Sequence, residues 1–534
     1  MHKGRYGRGS ALAAAGIAAL VALIVAASAQ AAGKRQNVMI GYSGSESSAR
    51  ALVGKFGGSV SRAFPKIGVI AASLDSTRVS DLAQQGGVRY VENDAPRHAL
   101  SLSDLESSQL VPAADNGLYG LVMTNAYPAP LGYTGAGAMA CMADTGIDAK
   151  HVDIRSNYLG GVDEIDNDSN PDVGSDVHEM HGTHTTGTVA AVDNRVGVVG
   201  AAPGDNFYYA RVLGWDGTTD SGTTSQVMAG AQWLSDHGCR VINMSLGGGD
   251  KSRSEEALYN NLFTNGAGGK GTLIVAAAGN DAANKISFPA AYDVVVSVAA
   301  LNPDGTPASF TNRGAGLDLS APGVDVVSSV PTDTGHDARV GDIQALAAEF
   351  AGSTSSKGVT GTLVDCGLAL APTDCPAAVN GNIALISRGS ATFASKVENA
   401  MSRGATAAVI YNNTTGSLNA TLGTDTTSTG KAWIPVVTVT QAQGATLVGQ
   451  AGSTTTVFNI PTSWDFLSGT SMAAPHVTGA AALALSANPR LTSAQLTNVL
   501  TSTATDLGTP NYDTTFGFGL VNAKAAVQKA LATP

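Results

Sequence analysis

Between about residues 109 and 331, short continuous apolar runs alternate with stretches of helical periodicity. The runs include "AGAMACMAD", "NFYYARVL", "CRVINMSL", "GTLIVAAAGN", "YDVVVSVAAL" and "LDLSAPG". Strands that are apolar on both faces are typical of a parallel sheet covered by helices on both sides. The pattern therefore predicts an α/β fold, a mostly parallel sheet sandwiched by helices, with polar clusters at the strand ends where such folds place their sites.

Two other textures flank and interrupt this pattern. Residues 35–100 read as a small α+β unit, with predicted strands near 37–42, 67–74 and 87–92 and helices near 46–55 and 77–85. Residues 332–463 are rich in Thr, Ser and Gly and contain the β-runs "NIALISRG", "TAAVIYNN" and "AWIPVVTVT". We expect a self-contained, β-rich insert here, which divides the α/β part into residues 109–331 and 464–534.

The chain begins with the basic stretch "MHKGRYGRGS", followed by the apolar run "ALAAAGIAALVALIVAASAQAA". A basic lead, an apolar middle and a small-residue end predict a signal peptide over residues 1–31 and a secreted protein without stable membrane insertion. An uncleaved membrane anchor is the alternative, since the run approaches spanning length. The formal net charge of −11 argues against a basic surface for nucleic acid.

Four cysteines are too few for a disulfide scaffold. Cys366 and Cys375 flank the short loop "CGLALAPTDC" and are expected to pair after secretion. Cys141 and Cys239 lie in apolar, strand-like runs, where we expect buried free thiols.

Ser471 lies in the run "SGTSMAAPHVTGAAAL", which otherwise consists of packing residues. A serine nucleophile needs a base, a group that orients the base, and donors aimed at the oxyanion. Asp144 and Asn280 follow strand-like runs, and His181 begins a small-residue helix. Taken singly, these residues have plainer roles as caps or core residues, but their joint occurrence in one order favours catalysis.

The segments "CMADTGID", "MHGTHTTGTVAA", "VAAAGND" and "GTSMAAPH" closely resemble those of the subtilisin-like serine proteases, or subtilases, a family with the order Asp, His, Ser. The resemblance covers nearly all of 109–331 and 464–525. It implies a serine endopeptidase that works through an acyl-enzyme. Asp144 would then orient His181, the general base and later the general acid, and Ser471 would be the nucleophile. Asn280 and the backbone N–H of Ser471 would bind the oxyanion.

The stretch "SLGG" follows a predicted strand and has little side chain, so its edge can pair with an extended peptide. A plain tight turn is the alternative. The resemblance implies that this stretch forms one wall of the substrate cleft. The candidate substrate-binding residues are Ser245, Leu246, Gly247, Gly248, Ala277 and Gly279.

Two loops suggest structural calcium (Ca2+). The first, "DEIDNDSNPD", resembles a calcium loop of some subtilases, and its oxygen ligands would be Asp163, Asp166, Asp168, Asn170 and Asp172. A solvated acidic loop is the alternative. The second, "AAVDNRVGVVG", resembles a subtilase loop that binds calcium mostly through carbonyls, and the implied ligands are Gln109, Asp153, Val192, Asn194, Val196 and Val198.

Residues 35–100 resemble the subtilase propeptide, which acts as a folding chaperone and as an intramolecular inhibitor. Its tail, "ENDAPRHAL", would lie in the cleft as a first substrate. We therefore predict cleavage after Leu100, a mature chain that starts near Ser101, and acceptance of leucine before the scissile bond. The insert, especially "GNIALISRGSATFASKVENAMSRGATAAVIYNN", resembles a protease-associated (PA) domain, which would gate access to the cleft or add to substrate binding.

The sequence leaves three functions open. The first is a broad secreted endopeptidase that acts on protein or peptide substrates and favours an apolar residue before the scissile bond. The second is a processing protease of narrow specificity, and the third is a catalytically dead binding scaffold. Because His181 must be neutral to act as a base, an active enzyme should lose activity below about pH 6.

Overall fold

The computed structural model describes residues 34–100, 119–174, 176–348, 350–414, 418 and 420–534. The predicted signal peptide, the predicted mature start at Ser101 and the predicted ligand Gln109 lie outside these residues. Contacts divide the chain into two compact units, one ending at Asp94 and the other starting at Ala95. Within the described ranges, no helix is both long enough and apolar enough to cross a bilayer.

The first unit is an antiparallel sheet with two helices. Its elements are β1 (Arg35–Tyr42), α1 (Glu46–Lys55), β2 (Ser59–Phe64), β3 (Val69–Asp75), α2 (Val79–Ala83) and β4 (Val88–Asn93). The strand order is β2-β3-β1-β4, and a cluster of buried apolar residues, among them Ile40, Val53 and Leu82, forms the core. Strand β2 is not predicted by the apolar runs, because its sequence "SVSRAF" is mostly polar and only partly buried.

The second unit begins with the elements of the α/β part. They are β5 (Pro96–Ala99), α3 (Tyr119–Met123), β6 (Ala140–Asp144), β7 (Tyr158–Asp163), α4 (Met180–Ala190), β8 (Phe207–Arg211), β9 (Gly214–Trp215), β10 (Asp220–Thr223), α5 (Thr224–Asp236), β11 (Val241–Met244), β12 (Leu246–Gly247), α6 (Arg253–Gly269), β13 (Leu273–Ala277), β14 (Val295–Leu301), β15 (Leu319–Pro322) and β16 (Val326–Ser329).

The insert and the C-terminal part complete this unit. The insert contains β17 (Gly335–Val340), β18 (Ile343–Gln344), β19 (Leu346–Ala347), β20 (Val359–Asp365), β21 (Ile383–Ser387), α7 (Phe393–Ser402), β22 (Ala407–Tyr411), β23 (Val436–Val439), α8 (Gln441–Gly449) and β24 (Thr454–Thr462). After it come β25 (Trp464–Leu467), α9 (Thr470–Ala487), α10 (Ser493–Ser502) and α11 (Ala523–Ala532).

A seven-stranded parallel sheet, in the order β15-β14-β13-β11-β6-β8-β7, forms the centre of the α/β part. Its middle strands β6, β11 and β13 are buried along their whole length, as their continuous apolar runs predict. The α/β fold with a mostly parallel sheet is thereby confirmed. Parallel strands place their carboxyl ends at one edge, so Asp144 and Ala277 end their strands on the same side of the sheet.

Helix α9 is buried from Thr470 through Leu485 and packs against the parallel sheet and against α4 and α11. Small residues make this close packing possible. A Cβ added at Gly479 would lie 2.3 Å from the Cβ of Ala201, so only glycine fits there. The helix thereby brings its first turn, with Ser471, to the strand ends.

The insert is built on one eight-stranded sheet in the order β18-β17-β24-β20-β21-β22-β23-β19. Strands β20 to β23 pair in parallel, and apolar cores lie on the two faces of the sheet. The flanking strands β16 and β25 pair with each other in antiparallel fashion, with Ser329 opposite Trp464. The chain therefore leaves and re-enters the α/β part at neighbouring points.

The structure contains two disulfides. One joins Cys366 and Cys375 across the short loop of the insert. The other joins Cys141 to Cys239, so the prediction of buried free thiols is wrong. The apolar surroundings of both residues were correctly read, but the sequence does not reveal that Cys239, just before β11, faces the neighbouring strand β6.

Candidate active site

Asp144 and His181 form a buried hydrogen-bonded pair. Asp144 ends β6 and is fully buried, and His181 lies in the first turn of α4. His181 Nδ1 lies 2.6 Å from Asp144 Oδ1, and Thr185 Oγ1 donates to Asp144 Oδ2 at 3.0 Å. A carboxylate held in this way orients the ring and leaves Nε2 free to accept a proton.

The charges around His181 favour its protonated form. Burial by itself lowers the pKa of His181, but the neighbouring carboxylates of Asp144 and Asp220 outweigh it, so the pKa lies above the ordinary imidazole value. Within the described residues, His181 Nε2 has no hydrogen-bond partner. Two further histidines lie nearby, and burial lowers the pKa of His184 to about 3 and that of His476 to about 4, so both rings stay neutral.

Ser471 is the second residue of α9 and is fully buried. Its hydroxyl donates to the carbonyl of Ser245 at 2.9 Å, and the hydroxyl of Ser245 donates to the carbonyl of Ser471 at 2.7 Å. The Ser471 carbonyl needs this partner because Pro475, four residues later, has no N–H to offer it. Ser245 therefore secures the start of the helix that carries Ser471.

Asn280 lies just beyond β13 and is held by the same helix start. Its Oδ1 accepts hydrogen bonds from the backbone N–H and the hydroxyl of Thr470, at 2.9 and 2.8 Å. This fixes the side chain with Nδ2 pointing away from Thr470. Nδ2 donates to the carbonyl oxygen of Leu100 at 2.6 Å.

Residues 96–100 occupy the cleft as an extended strand. β5 lies between β12 and β10 and pairs with both in antiparallel fashion. Leu246 is opposite Ala99, Gly247 is opposite His98, and the N–H of Leu100 donates to the carbonyl of Ser245 at 3.3 Å. Gly247 has no side chain to obstruct this segment, since an added Cβ would lie 2.8 Å from Leu100 Cδ1.

Of the remaining predicted cleft residues, Gly248 lies against this strand, whereas Ala277 and Gly279 precede Asn280 in the chain. A Cβ added at Gly248 would lie 2.9 Å from the carbonyl oxygen of Pro96. Ala277 ends β13 and is fully buried. Gly279 has φ of 114°, and an added Cβ would lie 2.1 Å from Asn312 Nδ2, so the turn before Asn280 requires glycine.

Three of the predicted calcium ligands of the acidic loop are paired with cationic side chains. Asp163 and Asp166 each form an ion pair of 2.7 Å with Arg211 Nη1, and Asp172 lies 3.2 Å from Lys150 Nζ. Asp168 and Asn170 are tied into the loop, since the N–H of Asn170 donates to Asp168 Oδ1. Among the described residues, no three acidic, His or Cys side chains converge as a metal-binding group. Arg211, which the loop sequence does not reveal, offsets part of this negative charge and is shared with Glu179.

The loop of residues 192–198 lies beside Asp153, the predicted carboxylate ligand of the second calcium site. Asp153 is fully buried, and its described partners are neutral donors: Asn194 Nδ2 at 2.9 Å, Trp464 Nε1 at 2.7 Å, the N–H of Val198 and the hydroxyl of Ser329. None of these partners carries a positive charge, so a hard cation would supply the countercharge of this carboxylate in place of hydrogen bonds that it now accepts. Asn194 Oδ1 accepts from the N–H of Val196 at 2.8 Å, so this amide would have to turn to become a ligand.

Two functional features were missed by the sequence analysis. Asp220, in β10, interacts electrostatically with His181. Burial raises the pKa of Asp220 to about 7, although the charge of His181 acts in the opposite direction. Arg97 of the cleft strand forms an ion pair of 2.6 Å with Glu255, and both side chains are fully buried. Arg97 is visible in the tail "ENDAPRHAL", but only the fold shows that its ion-pair partner is Glu255.

The parallel α/β fold and the buried Asp144–His181 pair define the class of subtilisin-like serine endopeptidases, and the comparisons with known proteins agree. Residues 135–362 match the subtilase family (Peptidase S8), and residues 359–447 match the PA domain. Subtilisin E from Bacillus subtilis (strain 168) is 34% identical over 322 residues, which are 58% of this chain and 77% of subtilisin E. The chain belongs to the subtilase family.

Other relatives agree with this assignment. Alkaline elastase YaB from Bacillus sp. (strain YaB) is 35% identical over 268 residues, 50% of this chain and 64% of that protein. The solved structure of the psychrophilic subtilisin-like protease Apa1 from Pseudoalteromonas sp. AS-11 matches 78% of this chain and 99% of its own, with 27% identity and a TM-score of 0.55. Fervidolysin from Fervidobacterium pennivorans shares the fold, with a TM-score of 0.59, 22% identity and coverage of 93% of this chain and 61% of its own.

Proposed function

We propose that the protein is a secreted serine endopeptidase made as a zymogen, and that it removes its own prosegment by cutting after Leu100. Ser471 attacks the carbonyl carbon of the scissile bond while His181 takes the hydroxyl proton. Asp144 stabilises the resulting imidazolium, and Asn280 binds the oxyanion. His181 then returns the proton to the leaving amine, and water hydrolyses the acyl-enzyme.

The hydrogen bond from Asn280 Nδ2 to the carbonyl oxygen of Leu100 carries this proposal. An amide aimed at one peptide carbonyl, and held by the start of the helix that carries Ser471, supports that carbonyl as the one to be attacked. The paired strand β5 supports the same register, since it presents residues 96–99 as an extended peptide. Residues 35–100 would then inhibit the enzyme until they are cut and released.

Localisation outside the cell and calcium at the loop of residues 192–198 belong to the same proposal. Two disulfides suit an oxidising compartment. A cation that binds the folded loop would stabilise it by mass action and supply no step of the reaction. Of the described candidates, Asp153 and the carbonyls of Val192, Val196 and Val198 would hold it.

The replacement Ser471→Ala tests the function. Because the nucleophile is lost, we expect an uncut chain, no casein hydrolysis and no labelling by a fluorophosphonate. The control is Ser486→Ala, which removes a half-exposed hydroxyl from the other end of α9 and should leave all three readouts intact. N-terminal sequencing of the wild-type product should begin at Ser101. Full self-processing by the Ser471→Ala chain would exclude the assigned nucleophile.

A further inference from the structure

Arg97 enters a closed acidic pocket. Its side chain is fully buried, and Nη2 donates to Glu255 Oε2 at 2.6 Å and to the carbonyl of Asp250 at 3.1 Å. Nη1 donates to the carbonyl of Pro96 at 3.1 Å. Fully buried arginine is rare unless it is paired, so a segment that reaches into the cleft here carries a specific charge contact.

Glu255 also has hydrogen-bond partners that belong to the pocket itself. It lies in the first turn of α6, where its N–H donates to Ser252 Oγ at 3.1 Å. Tyr259 OH donates to Oε1 at 3.1 Å, and Tyr292 OH lies 2.9 Å from Oε2. Burial raises the pKa of Tyr259 well above its ordinary value, and Glu255 raises it further, so the phenol stays a hydrogen-bond donor.

Both phenols are neutral, so neither of them offsets the charge of the carboxylate. Burial by itself lowers the pKa of Arg97, but the charge and hydrogen bond of Glu255 outweigh it and raise the pKa above the ordinary value. The guanidinium is therefore the charged partner of Glu255 in this pocket. A neutral side chain in its place would leave a buried carboxylate unpaired, which is strongly unfavourable.

The position of Arg97 defines a substrate subsite. Leu100 is the residue before the proposed scissile bond, so Ala99, His98 and Arg97 are the second, third and fourth residues before it. Gly222 is opposite Arg97 in the β10 ladder, and a Cβ added at Gly248 would lie 3.1 Å from Arg97 Nη1. Any peptide bound in this register places its fourth side chain in the Glu255 pocket.

We propose that the Glu255 pocket makes this enzyme selective for arginine at the fourth position before the scissile bond, with leucine accepted next to that bond. This inference rests on the proposed function. The specificity is narrower than that of a broad digestive protease, and it applies to protein substrates as well as to the prosegment. Lysine should be a poorer occupant, because its single ammonium cannot reproduce the planar guanidinium that serves Glu255 and two carbonyls at once.

The processed wild-type enzyme tests the proposal with four matched chromogenic peptides, acetyl-X-His-Ala-Leu-p-nitroanilide, where X is arginine, citrulline, lysine or leucine. Citrulline keeps the shape of arginine and removes its charge. We expect kcat/KM for arginine to exceed that for citrulline and leucine by roughly 10- to 100-fold, the range for one charged hydrogen-bonded contact. Equal values for arginine, citrulline and leucine would overturn the proposal.

A pair of variants assigns the effect to one carboxylate. Glu255→Gln should reduce the preference for arginine over citrulline to within about threefold, mainly by lowering the value for arginine. Its control is Glu256→Gln, which removes the neighbouring, partly exposed acid that pairs with Lys251 and should keep the preference. If Glu255→Gln fails to mature, the comparison of peptides on the wild-type enzyme still decides. Absence of hydrolysis of all four peptides and of fluorophosphonate labelling would refute the proposed function instead.

Discussion

Ser471 and Ser245 form two reciprocal hydrogen bonds. The hydroxyl of Ser471 donates to the backbone carbonyl of Ser245 at 2.9 Å, and the hydroxyl of Ser245 donates to the backbone carbonyl of Ser471 at 2.7 Å. The Ser245 carbonyl also accepts the N–H of Leu100. One carbonyl thus holds both the peptide and the nucleophile. In the proposed mechanism, the Ser471 hydroxyl would have to give up its hydrogen bond to Ser245 before its proton could pass to His181.

Replacing Ser245 with alanine should lower the stability of the chain while sparing catalysis. The change leaves the buried carbonyl of Ser471 without a donor, at a cost of about 1–3 kcal/mol in the free energy of unfolding. Urea unfolding of the uncut Ser471→Ala chain, with and without the change, measures this cost free of self-digestion. In a Pro475→Ala background, which restores the helical N–H, the cost should shrink. An undiminished cost would show that the carbonyl is not its cause.

Replacing Asp220 with asparagine should extend activity to lower pH. His181 can act as a base only when it is neutral. Because its pKa is raised, kcat/KM should fall on the acid side at a pH above the ordinary pKa of imidazole. This is higher than the limit near pH 6 that the sequence predicts. The charges that face His181 come from Asp144 and Asp220, and His184 stays neutral. Asp220 has a pKa of about 7 and is therefore only partly ionised where His181 titrates, so its replacement should move the midpoint of the limb down by a small amount. Asp216→Asn, an exposed acid of the same loop, is the control and should leave it in place.

Calcium should stabilise the processed enzyme through one loop only. At about 100-fold excess over Kd, a cation that binds only the folded state adds about 2.7 kcal/mol, so chelation should lower Tm by about 3 °C in a chain of this length. Asp153→Asn should abolish the response to added calcium. Asp166→Asn, which alters the Arg211 cluster, should retain it. Loss of the response in Asp166→Asn with retention in Asp153→Asn would reverse the assignment.

The two disulfides should differ in their effect on stability. The Cys141–Cys239 bond spans 98 residues and the Cys366–Cys375 bond spans 9. Loop entropy gives about 4–5 kcal/mol for the long loop and about 2–3 kcal/mol for the short one. Double replacement by alanine at each pair, measured by Tm in the Ser471→Ala chain, should destabilise the first variant more. A greater loss from the insert pair would contradict this.

The sequence predicts much of this fold because its signals are local. The parallel strands read as continuous apolar runs, and β6, β11 and β13 are buried throughout. Asp144 ends such a strand, Asn280 lies three residues beyond another, and Ser471 lies on a long helix of small residues, so each is predicted as a site residue from its neighbours in the chain. The contact between Asp144 and His181 follows from that placement.

What the sequence does not reveal are pairings between distant residues. Cys141 and Cys239 look like ordinary core residues until the sheet order brings their strands together. The density of acids in "DEIDNDSNPD" predicts a cation, but Arg211, from a neighbouring strand, supplies the positive charge. Glu255 likewise resembles a common acid in a first helical turn, and only β5 reveals that it faces Arg97.

The antiparallel pairing of β16 with β25 determines how the insert is joined to the α/β part. The two points where residues 330–463 depart and return lie side by side, about 5 Å apart as in any antiparallel pair. To the catalytic fold, the whole module is therefore a hairpin loop, and chain entropy penalises a long loop only slightly more than a short one. A module of almost any size can be exchanged at this junction while Gly469, whose N–H donates to the carbonyl of Gly323, keeps the helix that follows in register.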